Sequence, residues 1–327
     1  MKSHLVGLAV AFAIAAAGVG AAGQYGDVVD RHVNAAWTAA GSNHMALFNS
    51  LCSANNIKPP ANPPQRGRAG GPPPGPPERS TWHAEPVKVF DNLYFLGMTD
   101  VSAWAVKTSD GLILLDAIYD YSIEDEVVNG LKKLGLNPAT IKYALVSHGH
   151  VDHFGGAKYL QEHFGTKILM SAADWELIAA SRNANKPTRD QVVADGQKLT
   201  IGATTLTFTL TPGHTPGTVS TLIPVTDNGV RHLVAEWGGT GFNFARNAET
   251  FKIYASSADR FKEIATRAGA DALISNHSSP DGSKTKIPAL ALRKPGDPHP
   301  YVIGPRAVQD YLTVAGECAK AVLAGMN

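Results

Sequence analysis

From Trp82 onward, short apolar runs alternate with turn residues in a pattern that spells out strands and helices. "KVFDNLYFLG" (88–97) reads as strand alternation broken by a turn at Asp91-Asn92. "AWAVKTSDGLILLDAIYD" (103–120) reads as strand, Asp-Gly turn, strand. In "IEDEVVNGLKKLG" the spacing of Val127, Val128, Leu131 and Leu134 predicts a helix ending at Gly135. "IKYALVSHGH" (141–150) is a strand running into histidines, and "GGAKYLQEHFG" is a short helix behind them. "KILMS" is a strand and "AADWELIAASR" a helix. Strands follow in "QKLTIGATTLTFTLTPGHTPG", with a hairpin at Gly202-Ala203, then in "VSTLIPV" and "RHLVAEW". "SADRFKEIATRAG" (257–269) is a helix, "DALISNH" a strand, and "AVQDYLTVAGECAKAVLAG" a terminal helix. Hairpins and strand–helix units occur in both halves. This predicts the α/β class: two mixed sheets packed together with helices outside, an αββα sandwich, rather than one parallel sheet.

The region before Trp82 has a different texture. Lys2 followed by the alanine-rich apolar run Leu5–Val19 and the small residues "GVGAAGQ" predicts a signal peptide over residues 1–23. The run is too short for a comfortable membrane span, so no stable membrane anchor is expected. Residues 24–57 then form an alanine-rich helical extension carrying His32 and His44, read as surface or capping residues. Residues 58–80, "KPPANPPQRGRAGGPPPGPPERS", are a proline-rich spacer, and 81–327 is the main folded domain. Export would place the chain in an oxidising space such as a bacterial periplasm. There the two cysteines, Cys52 and Cys318, either pair or stand as separate thiols. The 327 residues contain 44% apolar and 17% charged residues, with a formal net charge of +1. That supplies a core and gives no basic face for a nucleic acid. The expected partner is a small-molecule substrate; the oligomeric state is not fixed by the sequence.

The chemistry concentrates in "VSHGHVDHFGG" (146–156). In extended chain alternate residues point the same way, so His148, His150 and Asp152 converge, and His153 follows at the turn into a glycine-started helix. Imidazoles with a carboxylate and no cysteine are the donors of an open zinc site rather than a closed structural one. The plainer alternative is a run of surface histidines in a loop. His214 in "LTPGHTPG" and His277 in "LISNHSSPDG" also follow strands, at the same strand ends. Six ligands in three loops suffice for two zinc ions with positions left for water. His83, His163, His232 and His299 have no such setting and read as surface or polar-contact residues. Asp116, closing "LILLD", either holds the ligand loop from behind or caps a turn. No G-x-S-x-G elbow supports a serine nucleophile.

On these motifs the chain resembles the metallo-β-lactamase superfamily of zinc hydrolases. H-x-H-x-D-H stands complete as His148, His150, Asp152 and His153, and the later ligands match His214 and His277. The resemblance implies that His148, His150 and His214 hold one zinc and that Asp152, His153 and His277 hold the other. Within the superfamily the chain is most similar to the third β-lactamase subclass, which binds both ions without cysteine. Glyoxalase- and lactonase-type relatives carry a metal-bridging aspartate where this chain reads "LVAEWGGTG", with Glu236 or Trp237 in its place. The subclass usually has serines there, suited to a substrate carboxylate; here none is present, and no Lys or Arg replaces them until Arg246. The implied activity is attack of zinc-activated water on a carbonyl carbon, with Asp152 orienting the nucleophile. A β-lactam amide is the expected substrate class, turned over weakly. The alternatives are a lactone or ester with a bulky apolar group, read from an aromatic wall of Trp237, Phe242 and Phe244, and a non-enzymatic zinc-binding protein.

Overall fold

The computed structural model describes residues 26–59 and 75–326. The expected signal segment, 1–23, and most of the proline-rich spacer lie outside the described residues. The extension is helical as expected: α1 (Asp27–Ala40), α2 (Met45–Leu51) and the single turn α3 (Ala54–Ile57).

The first half of the domain builds a seven-stranded sheet from β1 (Val87–Lys88), β2 (Leu93–Phe95), β3 (Trp104–Thr108), β4 (Gly111–Leu115), β5 (Ile141–Leu145), β6 (Lys167–Ser171) and β7 (Gln191–Val193), in that spatial order. Strands β1 to β4 pair antiparallel, and β4 to β7 pair parallel. Parallel pairs need crossovers, and helices supply them. A π-helical turn at Ile123–Val128 runs into α4 (Asn129–Lys133); α5 (Val151–Phe154) and α6 (Ala157–Phe164) follow β5; α7 (Ala172–Ala180) follows β6. The second half builds a five-stranded sheet in the order β12-β11-β10-β9-β8. Its members are β8 (Lys198–Ile201), β9 (Thr204–Leu210), β10 (Val219–Asp227), β11 (Val230–Trp237) and β12 (Ala272–Ser275). Only the β11–β12 pair is parallel, across α8 (Ala248–Ala268). Two helices close the chain, α9 (Ser283–Leu292) and α10 (Pro305–Ala324).

Three apolar layers result. Between the sheets lie Phe95, Trp104, Val106, Ile113, Leu115, Leu145, Phe208, Ile223, Val234 and Ile274. Leu112, Leu114 and Ala144, on the opposite faces of β4 and β5, pack under α4 to α7. Leu222, Ala235, Trp237 and Leu273 pack under α8 and α10, with α1 laid against α10. The period-2 alternation of the strands thus separates the inter-sheet core from the helix layers. The αββα expectation holds. Helix α8 begins nine residues earlier than the apolar spacing indicated, because the Asn247 side chain accepts from Thr250 N and caps it. Strand β7 and α9 carried no clear signal, α9 having Pro288 in its interior.

Cys52 and Cys318 form a disulfide, with Cα atoms 5.0 Å apart. It joins the extension to α10 beside the hydrogen bond from His32 Nδ1 to Glu317 Oε2 at 2.7 Å. His44 is buried, with its Nε2 donating to Ala307 O at 2.7 Å, so it is an anchor rather than a surface residue. The cysteines are 266 residues apart, so the bridge closes a very long loop in the unfolded chain. Replacing both by Ser is expected to lower the unfolding free energy by about 2–4 kcal/mol, read from urea titrations. An unchanged midpoint would show that the bridge adds no stability.

Candidate metal centre

Every candidate ligand leaves the end of a strand on one rim of the sandwich. Asp116 follows β4, the 148–153 run follows β5, His214 follows β9, Gly238 follows β11 and His277 follows β12. The rim is built tightly. A Cβ on Gly156 would lie 2.4 Å from Ala117 O, so only glycine lets α6 start against the β4 loop. That loop is strained: Asp116 has φ 62° and the β-branched Ile118 has φ 42°, a region such a residue rarely occupies.

The strand-end loops bring the six residues into two triples. In each of the sets His148, His150, His214 and Asp152, His153, His277, the donor atoms lie within 4.8 Å of one another. The two sets adjoin, with the rings of His148 and His153 4.1 Å apart.

The hydrogen bonds fix which nitrogens are free. His148 Nδ1 donates to Gly238 O at 2.8 Å and His214 Nδ1 to Gly241 O at 2.6 Å. His277 Nδ1 donates to Asp100 O at 3.0 Å, and His153 Nδ1 to Asp116 Oδ2 at 2.8 Å. A carbonyl or carboxylate oxygen can only accept, so each Nδ1 carries a hydrogen, and wherever the ring is neutral its Nε2 presents a lone pair. The lone pairs of His148 Nε2 and His214 Nε2 face each other at 3.0 Å, with His150 Nδ1 3.1 Å from His214 Nε2. His153 Nε2 is buried 3.3 Å from Asp152 Oδ2. Converging bare nitrogens repel and are costly when buried unless something positive stands between them. A metal ion satisfies all of them at once, so the residues present fit one.

Charge follows the same logic. Burial lowers the pKa of His148 well below the ordinary value, with the neighbouring imidazoles adding to it. Burial, then His150, pushes His214 down to about 3, so both are neutral donors. Burial works against charge on His153, but the carboxylates of Asp152 and Asp116 outweigh it and raise it to about 10. A cation at Nε2 takes the place of that proton. Burial also opposes ionisation of Asp152, yet His153 and His277 outweigh it and hold its carboxyl below the usual range.

Asp116 stands directly behind the ligands. It accepts from Ser147 N at 2.6 Å, Ser147 Oγ at 2.9 Å and His153 Nδ1. Two further residues have no signal in the sequence. Buried Asp174 accepts from Gly149 N, Gly217 N and Thr215 Oγ1, tying the His148–His150 loop to the His214 loop. Asn276 Nδ2 donates to Gly238 O at 2.6 Å, securing the carbonyl behind His148.

The aromatic wall is corrected. Trp237 shares its strand face with Ala235, points into the helix layer, is 1% exposed, and donates from Nε1 to Tyr254 Oη at 3.2 Å. It offers no surface to a ligand. Phe242 and Phe244 are partly buried against Phe251 and Tyr254, just past the Gly241 carbonyl that holds His214. The opposite face of β11 turns Glu236 inward between the sheets. Both its carboxylate oxygens are buried without a hydrogen bond, and its cross-strand neighbour Thr221 does not close one. Burial, then the charge of Asp116, raises its pKa to about 8. Where the resembled subclass usually has serines stand Gly238 and Gly239, and a Cβ on Gly239 would lie 2.6 Å from His214 Cβ. The backbone approaches the ligand too closely for a side chain there. Of the other histidines, His83, His163 and His232 make polar contacts, and His299 is buried, stacked on Phe90.

Comparison with known proteins agrees with this architecture. The family model for the metallo-beta-lactamase superfamily matches residues 96–228. An N-acyl homoserine lactonase of a Bacillus species is 31% identical over 150 residues, 43% of this chain and 58% of the lactonase. A hydroxyacylglutathione hydrolase of Acidiphilium cryptum is 35% identical over 82 residues, 25% of this chain and 30% of that enzyme. The chain thus spans little more than half the length of the curated lactonase it matches. Among solved structures, BJP-1, a subclass B3 metallo-beta-lactamase of Bradyrhizobium japonicum, is 28% identical with a TM-score of 0.61, covering 72% of this chain and 91% of that one. Native FEZ-1 of Legionella gormanii shares the fold, at 24% identity and a TM-score of 0.61 over 70% of this chain and 91% of its own.

Two outcomes follow from the residues behind the ligands. Asp116→Ala is expected to weaken metal binding about 10- to 100-fold, read by competition with a chromophoric chelator. Glu236 has a raised pKa in the folded state, so its ionisation opposes folding above the unfolded value of 4.5 and up to about 8. In metal-free protein, Glu236→Gln should therefore gain on the wild type as pH rises through that window. The gain is at most about 1.4 kcal/mol per pH unit in urea unfolding. Parallel stability curves would show that Glu236 titrates normally.

Proposed function

The chain belongs to the metallo-β-lactamase superfamily, and from that premise we propose that it is a dinuclear zinc hydrolase acting on a cyclic or activated carbonyl compound. The observation that carries this reading is the pair of adjoining triples with bare nitrogens turned inward and no cysteine. His148, His150 and His214 would hold one ion, and Asp152, His153 and His277 the other. Bound there, zinc supplies Lewis acidity that lowers the pKa of water toward neutrality and polarises a carbonyl oxygen. The chain's own groups do the rest. Asp152, kept ionised by His153 and His277, accepts a hydrogen bond from the attacking water and aims it. Asp116 holds the imidazole of His153 in one tautomer and orientation.

Apolar and aromatic side chains stand on the rim around the triples. Val151 and Leu177 are 39% and 36% exposed, Leu177 beside Gly149 of the ligand loop. Tyr119 and Tyr121 are stacked 5.0 Å apart within electrostatic reach of Asp152, and Phe242 lies on the His214 side. A charge-assisted hydrogen bond to a substrate carboxylate is worth about 1.5–3 kcal/mol, so lacking one weakens binding roughly tenfold or more. We read β-lactams as weak substrates and a larger, more apolar lactone or ester as the better one. The match to an acyl homoserine lactonase supports that second class. Export to the periplasm is the matching compartment, because the Cys52–Cys318 bridge persists in an oxidising space. N-terminal sequencing of native protein should start near Gln24, and retention of Met1 would count against export.

Elemental analysis should find about two zinc ions per chain, and His150→Ala should lose metal and hydrolysis together while keeping its circular dichroism. Full activity in that variant removes the reading. Across β-lactams, acylated lactones and aryl esters, kcat/KM should be highest for the apolar lactones or esters. Efficient turnover of penicillins, with nothing gained by apolar esters, would falsify the substrate assignment.

A further inference from the structure

The N-terminal extension is attached to α10 by its disulfide, by His32 and His44 and by packing, and a further attachment leads to the metal centre. That attachment is at the end of α3, where the carbonyls of Asn56 and Ile57 have no further helical turn to accept from. Both accept from Arg246, Nη1 donating to Asn56 O and Nη2 to Ile57 O, the latter at 2.9 Å. Arg246 lies at the far end of the loop joining β11 to α8, residues 238–247. That loop supplies Gly238 O and Gly241 O, the acceptors that set the tautomers of His148 and His214.

The start of the loop is secured by Asn276 on Gly238 O and by Tyr254 Oη on Thr240 O. Beyond Thr240 it packs Phe242 and Phe244 on Phe251 and Tyr254, and Arg246 ties its end. The carbonyl of Gly241 therefore sits between a secured start and an end that Asn247 joins to α8 and Arg246 joins to the extension.

We propose that the extension is a positioning element of the metal centre, with Arg246 as the positioning residue that transmits it. The disulfide fixes α2 and α3 against α10, the arginine fork fixes the loop to α3, and the loop aims the lone pair of His214. A planar fork suits two adjacent carbonyls, and a lysine reproduces its charge but not its two directed bonds. The proposal rests on the reading of His148, His150 and His214 as metal ligands.

The test is the zinc dissociation constant of the full chain, by chelator competition, with the melting temperature measured alongside. Arg246 is exposed, so Arg246→Ala should fold, and it should bind zinc about three- to tenfold more weakly. Arg246→Lys should recover part of that loss. The Cys52→Ala/Cys318→Ala pair should weaken zinc binding too, and combining it with Arg246→Ala should cost less than the two losses added, because both act through one contact. Unchanged zinc affinity in Arg246→Ala overturns the proposal, whether or not the melting temperature falls; it would leave the extension a clamp on stability only. A wild type that binds no zinc fails at the earlier step, the ligand assignment, and takes this proposal with it.

Discussion

The metal centre depends on the oxygens placed behind its histidines. An imidazole offers one bare nitrogen, and its partner on the far side decides which. Four of the ligand imidazoles have that partner: Gly238 O, Gly241 O, Asp100 O and the Asp116 carboxylate. Three of these are main-chain carbonyls, so the backbone path at the strand ends, rather than the side chains there, sets the tautomers. This explains why the loop after β11 is glycine-rich. It must pass close enough to His214 that a Cβ on Gly239 would collide with it. The two sheets fix where each strand ends, and so fix where each carbonyl points.

Three buried acids near these ligands show how context assigns opposite roles to similar groups. Asp174 receives three hydrogen bonds and joins two ligand loops. Asp116 receives three, one of them from a ligand imidazole. Glu236 receives none and is raised to about 8 by burial and by Asp116. A satisfied carboxylate stiffens the rim, whereas an unsatisfied one costs stability whenever it is charged. Glu236 thus stores a cost next to the site, as functional regions often do.

The residues that the fold gathers into two triples were legible because their chemistry is local: three histidines and an aspartate within six positions after an apolar run, then single histidines after two more strands. The strand–turn alternation likewise carried the two-sheet sandwich. What was not legible lies in relations between distant segments. Asp174 sits in a helix with nothing to mark it, yet it bonds to backbone 25 and 43 residues away. The carbonyl acceptors have no side-chain signature at all. Helix α9 runs through Pro288, which reads as a breaker. The start of α8 was legible in principle, in the Asn-x-x-Thr spacing of Asn247 and Thr250, but the apolar period begins later and drew the boundary with it.

Trp237 shows how position in sequence and position in space part company. It lies one residue before the glycines of the site, which suggested a pocket wall. On a strand, however, neighbours in sequence face opposite ways. Val234 belongs to the inter-sheet core, so Glu236 must share that face, and Trp237 must share the face of Ala235 under α8 and α10. The alternation in "LVAEW" already carried this. The aromatic character of the rim comes instead from loops, where no period constrains direction: Phe242 beyond β11, and Tyr119 and Tyr121 beyond β4. The last two are presented by the strained turn at Asp116 and Ile118. The same turn aims the Asp116 carboxylate at His153. One backbone distortion therefore sets both the carboxylate behind His153 and the position of the two tyrosines, and relaxing it would disturb both together.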